Sequence, residues 1–225
     1  MGGGGFPIDL LLFGMIAAFL VLRLRSILGR RTGFERPPQN ERQGGPVQVP
    51  GLGRAPPTID ARAEPAAPAR ALPEPGSPAG LALQRMRSID RNFDPGHFLQ
   101  GAESAFRMIV AAFASGDRVT LRNLLADGPY GAFEQAIAGR ESRHETQQSE
   151  IKSIEKASIE QAMLDGTRAS ITVHFVSDQV ALTVDDAGKP VAGTDAVTEI
   201  TDIWTFERDL SQPDPAWRLA AARSG

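Results

Sequence analysis

Eleven of the chain's 17 prolines fall between Arg36 and Gly80, and that stretch holds almost no aromatic residue. Such a composition cannot bury enough apolar surface to offset the entropy of ordering, so it predicts a linker, not part of a core. The alternative, one long irregular loop inside a compact fold, is disfavoured because structureless loops of this length are rare in compact domains. About 45 residues with partial polyproline character reach roughly 40 Å root-mean-square. In 225 residues this leaves room for one ordinary domain, on the C-terminal side.

On the N-terminal side, Phe6 to Leu22 carries the single charge Asp9 and is otherwise almost wholly apolar, before Arg23, Arg25, Arg30 and Arg31. Its 17 residues reach the short end of a membrane span, and Leu24, Ile27 and Leu28 extend it if the arginines snorkel. A secretory signal would place its positive charge first and a small-residue cleavage site last; here the arginines follow and no such site does. An apolar helix of a soluble core is the other alternative, and the arginine flank argues against it. The expectation is an integral, single-span anchor with the downstream chain cytoplasmic under the positive-inside rule. The opening Met-Gly hints at myristoylation, but position 6 is Phe where Ser or Thr is wanted.

Charge and ligand chemistry exclude whole classes. Residues 1–91 carry 12 Arg against 7 acids, and residues 92–225 carry 12 Lys plus Arg against 20 acids. The acidic C-terminal part argues against nucleic acid as a partner, since phosphate affinity needs a positive footprint. No cysteine and three scattered histidines, His97, His144 and His174, argue against a zinc site. No cofactor is expected, because neither a Gly-rich phosphate loop nor a nucleophile elbow occurs.

Between Gly80 and Phe93 a basic amphipathic segment places Ala82, Met86, Ile89 and Phe93 at helical spacing and adds Arg85, Arg87 and Arg91. It either lies on anionic lipid or docks on the following domain; periodicity does not separate the two. Asp94-Pro95 then opens a helix whose stripe of Phe98, Leu99, Ala102, Phe106, Ile109, Val110 and Phe113 ends near Gly116. Asp117 caps a shorter helix, and Asp127-Gly128-Pro129 opens a third carrying Tyr130, Phe133 and Ile137, closed by the polar run Arg140 to Glu150. Alternation follows at Ala169, Ile171, Val173 and Phe175, at Val180, Leu182 and Val184, and at Ile200, Trp204 and Phe206, with Trp217 and Leu219 last. Asp185 to Pro190 supplies a turn, and Ser177-Asp178-Gln179 a bend or bulge. Helices followed by antiparallel strands predict an α+β domain with helices on one face of a curved sheet.

The series Asp94-Pro95-Gly96-His97-Phe98-Leu99-Gln100-Gly101-Ala102, Ala112 to Asp117, Thr120-Leu121 with Leu124-Leu125, and Thr201 to Asp209 with Asp214-Pro215 and Trp217 resembles the Tim44-like domain family. Its members include the peripheral subunit of the mitochondrial inner-membrane import motor and bacterial TimA-type relatives. The resemblance covers about residues 92–225. It implies a cone-shaped α+β fold of the nuclear-transport-factor-two-like type, a large apolar pocket between helices and sheet, and adaptor rather than catalytic work at a membrane surface. The expected layout is therefore 1–31 anchor with basic flank, 32–80 linker, 81–93 basic helix and 94–225 Tim44-like domain.

Pocket-lining candidates are Phe106, Val110, Phe113, Tyr130, Phe133, Ile171, Val173, Phe175, Ile200, Trp204, Phe206 and Trp217; they either fill a core or line a cavity whose natural guest is an acyl chain or an apolar protein segment. Membrane-contact candidates are Arg85, Arg87 and Arg91. An isomerase-like enzyme would use Asp202, which in a regular strand shares a face with Ile200, Trp204 and Phe206; the plainer alternatives are a bulge or pairing with Arg168 or Arg218. His174 should face away from the Val173 and Phe175 side, and His97 and His144 read as solvated. The functional expectation is an adaptor at a bacterial inner membrane that recruits an unidentified protein partner, with lipid binding second and an enzyme third. The N-terminal residues lack the Arg- and Ser-rich amphipathic character of a mitochondrial transit peptide.

Overall fold

The computed structural model describes residues 68–225. The predicted anchor, and the linker up to residue 67, lie outside the described residues. Among the described residues no helix is long and apolar enough to cross a membrane.

The order is β1 (Ala69–Ala71), α1 (Pro78–Ile89), α2 (Pro95–Ser115), α3 (Arg118–Leu124), α4 (Asp127–Ser142), β2 (Thr146–Asp165), β3 (Arg168–Val184), β4 (Pro190–Asp209) and β5 (Arg218–Ser224). Three helix starts are set by short polar side chains that accept otherwise unpaired backbone N–H groups: Ser77 from Gly80 at 3.1 Å, Asp94 from His97 at 2.7 Å and Asp117 from Thr120 at 3.0 Å. Helix α2 stops at Gly116, whose φ of 74° is left-handed and needs no side chain in the way.

The sheet order is β1-β2-β3-β4-β5, antiparallel except for the parallel β1–β2 pair. Alternation on β3 buries Ala169, Ile171, Val173, Phe175, Ser177 and Gln179 on the helix side. Register then sets Phe206 opposite Ile171, Trp204 opposite Val173 and Asp202 opposite Phe175, all buried. Helix α2 closes this layer with Phe98, Leu99, Ala102, Phe106, Ile109 and Val110. Phe106, fully buried, stacks on Phe175 with ring centroids 4.5 Å apart and meets Trp204 edge-on at 4.6 Å.

The residues of the recognised motif are the joints of this architecture. Arg208 on β4 donates to Asp90, the C-cap of α1, at 2.9 Å and to the Asp214 carbonyl at 3.1 Å. Trp217 packs edge-on against Phe98 at 4.8 Å and beside Phe93 at 5.8 Å. The α1–α2 corner is thereby fixed to the β4–β5 connection.

Three expectations need correction. The polar run after Arg140 is not a helix tail: α4 ends at Ser142, and Thr146 begins β2, a 20-residue strand that the sequence reading passed over. Register shifts at Ile151/Ser153, Ile154/Lys156 and Ile159/Gln161 break its alternation, and as an edge strand it keeps a largely polar outer side. Ser177-Asp178-Gln179 is not a bend but lies within the continuous strand β3, and the bulge alternative is met by register shifts, against β2 where Ile151 and Ser153 face Gln179 and Asp178 and against β4 at Gln179/Ala181. The end of the expected linker, residues 68–80, is packed on the domain. There β1 pairs with β2, and Arg70 on β1 grips the buried Glu103 carboxylate of α2 through two hydrogen bonds of 2.7 and 2.9 Å.

The α3–α4 corner carries a pH dependence of readable sign. The Thr120 hydroxyl and backbone bonds hold the Asp117 carboxyl below its ordinary pKa, and Arg118, donating twice to Glu141, does the same for that carboxyl. A carboxyl with a depressed folded pKa adds stability that is present above its unfolded value and is lost as pH falls through the folded one. Amide exchange over residues 118–124 should therefore accelerate as pH drops below about 4 relative to intrinsic rates. Unchanged protection down to about pH 2 would show that these bonds do not hold the corner.

Candidate functional site

Helix α1 is the first helix of the described residues and carries the basic segment singled out in the sequence. Ala79, Gly80, Ala82, Leu83 and Met86 are buried against the domain, Met86 completely, so the helix docks on the protein. Ile89, expected in that stripe, is 43% exposed, as Leu81 is at 48%. Arg85 and Arg87 on the helix and Arg91, just beyond its C-cap Asp90, are exposed as well, and among the described residues none of the three forms an ion pair. Cations beside two exposed apolar side chains, on a helix immobilised by its other face, form an amphipathic surface complementary to anionic headgroups over hydrocarbon.

The segment before α1 is clamped hard. At Gly80 any Cβ would lie 2.1 Å from the Glu74 carbonyl oxygen and 2.8 Å from that of Pro75, so the absence of a side chain lets residues 74–75 lie directly on the helix. Neither this close approach nor the Arg70–Glu103 clamp was legible in the sequence. A glycine and a cation in a proline-rich stretch look like any others.

Of the pocket candidates, Phe106, Val110, Phe133, Ile171, Val173, Phe175, Trp204 and Phe206 all belong to the buried core cluster, and Phe113, Tyr130 and Trp217 pack against it partly buried. Ile200 is partly buried at the β4 position facing Ser177. Arg122 lies over the Tyr130 ring at 4.7 Å and Arg140 over the Phe113 ring at 5.2 Å. Much of the set is thus ring packing that holds α2 and α4 on the sheet.

Asp202 is fully buried on that inner face beside Phe175. Its Oδ2 accepts from Gln179 Nε2 at 3.0 Å, and the same amide donates to Ser177 Oγ at 2.8 Å. Arg218, one suggested partner, instead lies 3.7 Å from Asp214, and Arg168 pairs in register with Asp209. Ser177 and Gln179 were missed as companions of Asp202 because they were read as a bend; continuing the odd-numbered alternation of β3 two steps past Phe175 finds them. His174 faces the other side of the sheet, its Nδ1 3.6 Å from Glu160, and His97 and His144 are exposed.

A family model described as Tim44-like domain matches residues 79–224. The chain belongs to the Tim44-like domain family. The chain is 24% identical over 142 residues to the large ribosomal subunit protein mL45 of Drosophila melanogaster, a match that spans 62% of this chain and 39% of that protein. Among solved structures, the intermembrane space region of chloroplast protein ARC6 aligns with a TM-score of 0.43 at 14% identity, over 59% of this chain and 97% of that one. The periplasmic domain of DotI gives 0.37 at 16% identity, over 59% and 96%. A putative dehydratase of the NTF2-like family from Streptomyces avermitilis gives 0.35 at 16%, over 57% and 96%.

Proposed function

We propose that this Tim44-like protein is a membrane-tethered adaptor. Residues 1–31 anchor it in a bacterial inner membrane, the Pro-rich segment spaces the domain from the bilayer, and the domain recruits a protein partner on the cytoplasmic side. The carrying observation is the exposed cationic surface of α1 and the residues just after it: Arg85 and Arg87 on the helix and Arg91 beyond its C-cap, with Leu81 and Ile89 exposed on the same helix. Membrane residence raises the local concentration of domain and partner, and α1 sets which side of the domain faces the lipid. In this reading the buried rings and the Asp202–Gln179–Ser177 group support the scaffold and do no chemistry.

The test uses the full chain in lipid nanodiscs. Amides of residues 84–91 should exchange more slowly in discs containing anionic phosphatidylglycerol than in purely zwitterionic ones, and the triple change Arg85→Glu, Arg87→Glu, Arg91→Glu should abolish the difference. Protease added to spheroplasts should spare the domain. Equal exchange in both discs removes the lipid-facing role of α1, and digestion of the domain refutes the cytoplasmic orientation.

A further inference from the structure

The edge strand β2 is only partly covered. Strand β1 pairs with Lys156–Ser158 and then turns away, so among the described residues nothing continues that pairing along the following residues of β2. Where the two diverge a groove of about 500 Å³ opens, walled on one side by Pro73, Glu74, Ser77, Pro78 and Ala79, and on the other by residues 160–163. Its surface is mainly apolar, and Met163 and the adjacent Leu72 stand 65% and 52% exposed. The charges in the lining are two carboxylates, Glu74 and Glu160, with no cation among the lining residues.

We propose that this groove captures an extended, basic-and-apolar segment of the partner protein as an added strand on β2. The proposal rests on the adaptor reading and names the surface and the chemistry of its partner. Strand addition uses the open backbone groups of the edge for affinity and alternate side chains for selectivity. A guest running on from the end of β1 along β2 sets one alternate set of side chains, the apolar one, on the helix side with buried Ala162, while the other set falls on the opposite side with exposed Met163 and Glu160. Arginine or lysine is the complement there. Met163 suits such a site, since its flexible thioether adapts to varied guests. A second copy of this chain is disfavoured: its edge brings the same two carboxylates, and its own β1 blocks close approach of two β2 edges. The groove wall is firm, because the missing side chain at Gly80 seats residues 74–75 on α1.

The experiment titrates the full chain in detergent with a labelled Arg-Val-Arg-Val-Arg-Val peptide and with its Glu-Val counterpart, read by anisotropy and amide exchange. The basic peptide should bind and slow exchange at residues 159–165, and the acidic one should not bind. Glu74→Lys with Glu160→Lys should weaken binding at least tenfold and Met163→Asn severalfold, whereas Asp195→Lys with Glu199→Lys, an equal charge change on exposed positions of β4, should leave it intact. Equal weakening by both charge pairs, or protection elsewhere, overturns the proposal. A photocrosslinker at Met163 or at Val197, in native membranes, separates the two readings. Partner crosslinks from Val197 alone overturn the groove and leave the adaptor standing; crosslinks from neither overturn both. A crosslink from Met163 to residues 1–67 of the same chain makes the groove an internal contact and overturns partner capture.

Discussion

Phe106→Ala should lower the stability of the domain by about 3–5 kcal/mol. The ring is fully buried between Phe175, stacked 4.5 Å away, and Trp204, edge-on at 4.6 Å. Truncation removes the transfer free energy of six ring carbons, leaves a cavity bordered by two rigid aromatics that cannot collapse into it, and loses two ring pairs worth about 0.5–1.5 kcal/mol each beyond their area. Against a total of about 5–15 kcal/mol for a domain, that is a large fraction. Urea unfolding followed by fluorescence checks it, with Trp204 as neighbouring reporter and circular dichroism as a second probe. A loss below about 1 kcal/mol would mean that the rings are not the keystone of the helix–sheet contact.

Arg140→Met should cost about 2–4 kcal/mol through a different mechanism. Arg140 is 7% exposed, and its guanidinium donates to the carbonyls of Phe113 and Ala114 at 2.9 and 3.0 Å and to the Gln147 side chain. Those carbonyls belong to the last turn of α2, where Phe113 otherwise accepts only a long 3.3 Å bond from the Gly116 N–H, so one side chain of α4 caps α2 and touches the first residues of β2. Burial pulls the guanidinium's pKa below its ordinary value, with the Glu141 and Glu145 charges opposing, yet a group this basic stays protonated. Methionine retains much of the volume but takes the guanidinium donors away from the Ala114 carbonyl and leaves Phe113 only the Gly116 N–H. Arg140→Lys should recover less than half of the loss, because an ammonium cannot fork across three acceptors. If Met and Lys variants unfold at the same urea concentration as the parent protein, the cap contributes nothing.

How much was legible depended on how local the signal was. The starts of α2 and α3 at Asp94 and Asp117, and the stop of α2 at Gly116, are short-range capping chemistry, and the structure places them where the residues indicated. Strands β3 and β4 were readable because their inner face is buried along an unbroken alternation from Ala169 to Phe175 and at Trp204 and Phe206. Strand β2 was not. Three register shifts scramble its period, and an edge strand has no need of an apolar outer side. Residues 68–80 were misread for the converse reason: their composition is that of a linker, while their order comes from partners distant in sequence, Glu103 for Arg70 and Lys156–Ser158 for β1.

At the candidate surfaces the same division holds. Arg85, Arg87 and Arg91 could be named from sequence, since cations interleaved with an apolar stripe at helical spacing, Ala82, Met86, Ile89 and Phe93, are visible in one dimension. Which face of their helix is buried was decided by packing, and it turned Ile89 outward beside them. The groove beside Met163 had no signature at all, because it forms where two segments about 90 residues apart part company.

By itself, the sequence determined the family, the helix order and the caps at Asp94, Asp117 and Gly116, the inner face of β3 from Ala169 to Phe175 and that of β4 at Trp204 and Phe206, and the contrast between an apolar basic-flanked leader and an acidic domain, because each is written in neighbouring residues or in composition. Only the tertiary structure decided that the last residues of the expected linker, 68–80, are strapped to the sheet edge, that most of the aromatic set is packed core, that Asp202 lies buried with Gln179 and Ser177, and that β2 leaves an edge open. Burial and pairing depend on what arrives from elsewhere in the chain, and a one-dimensional pattern does not record it.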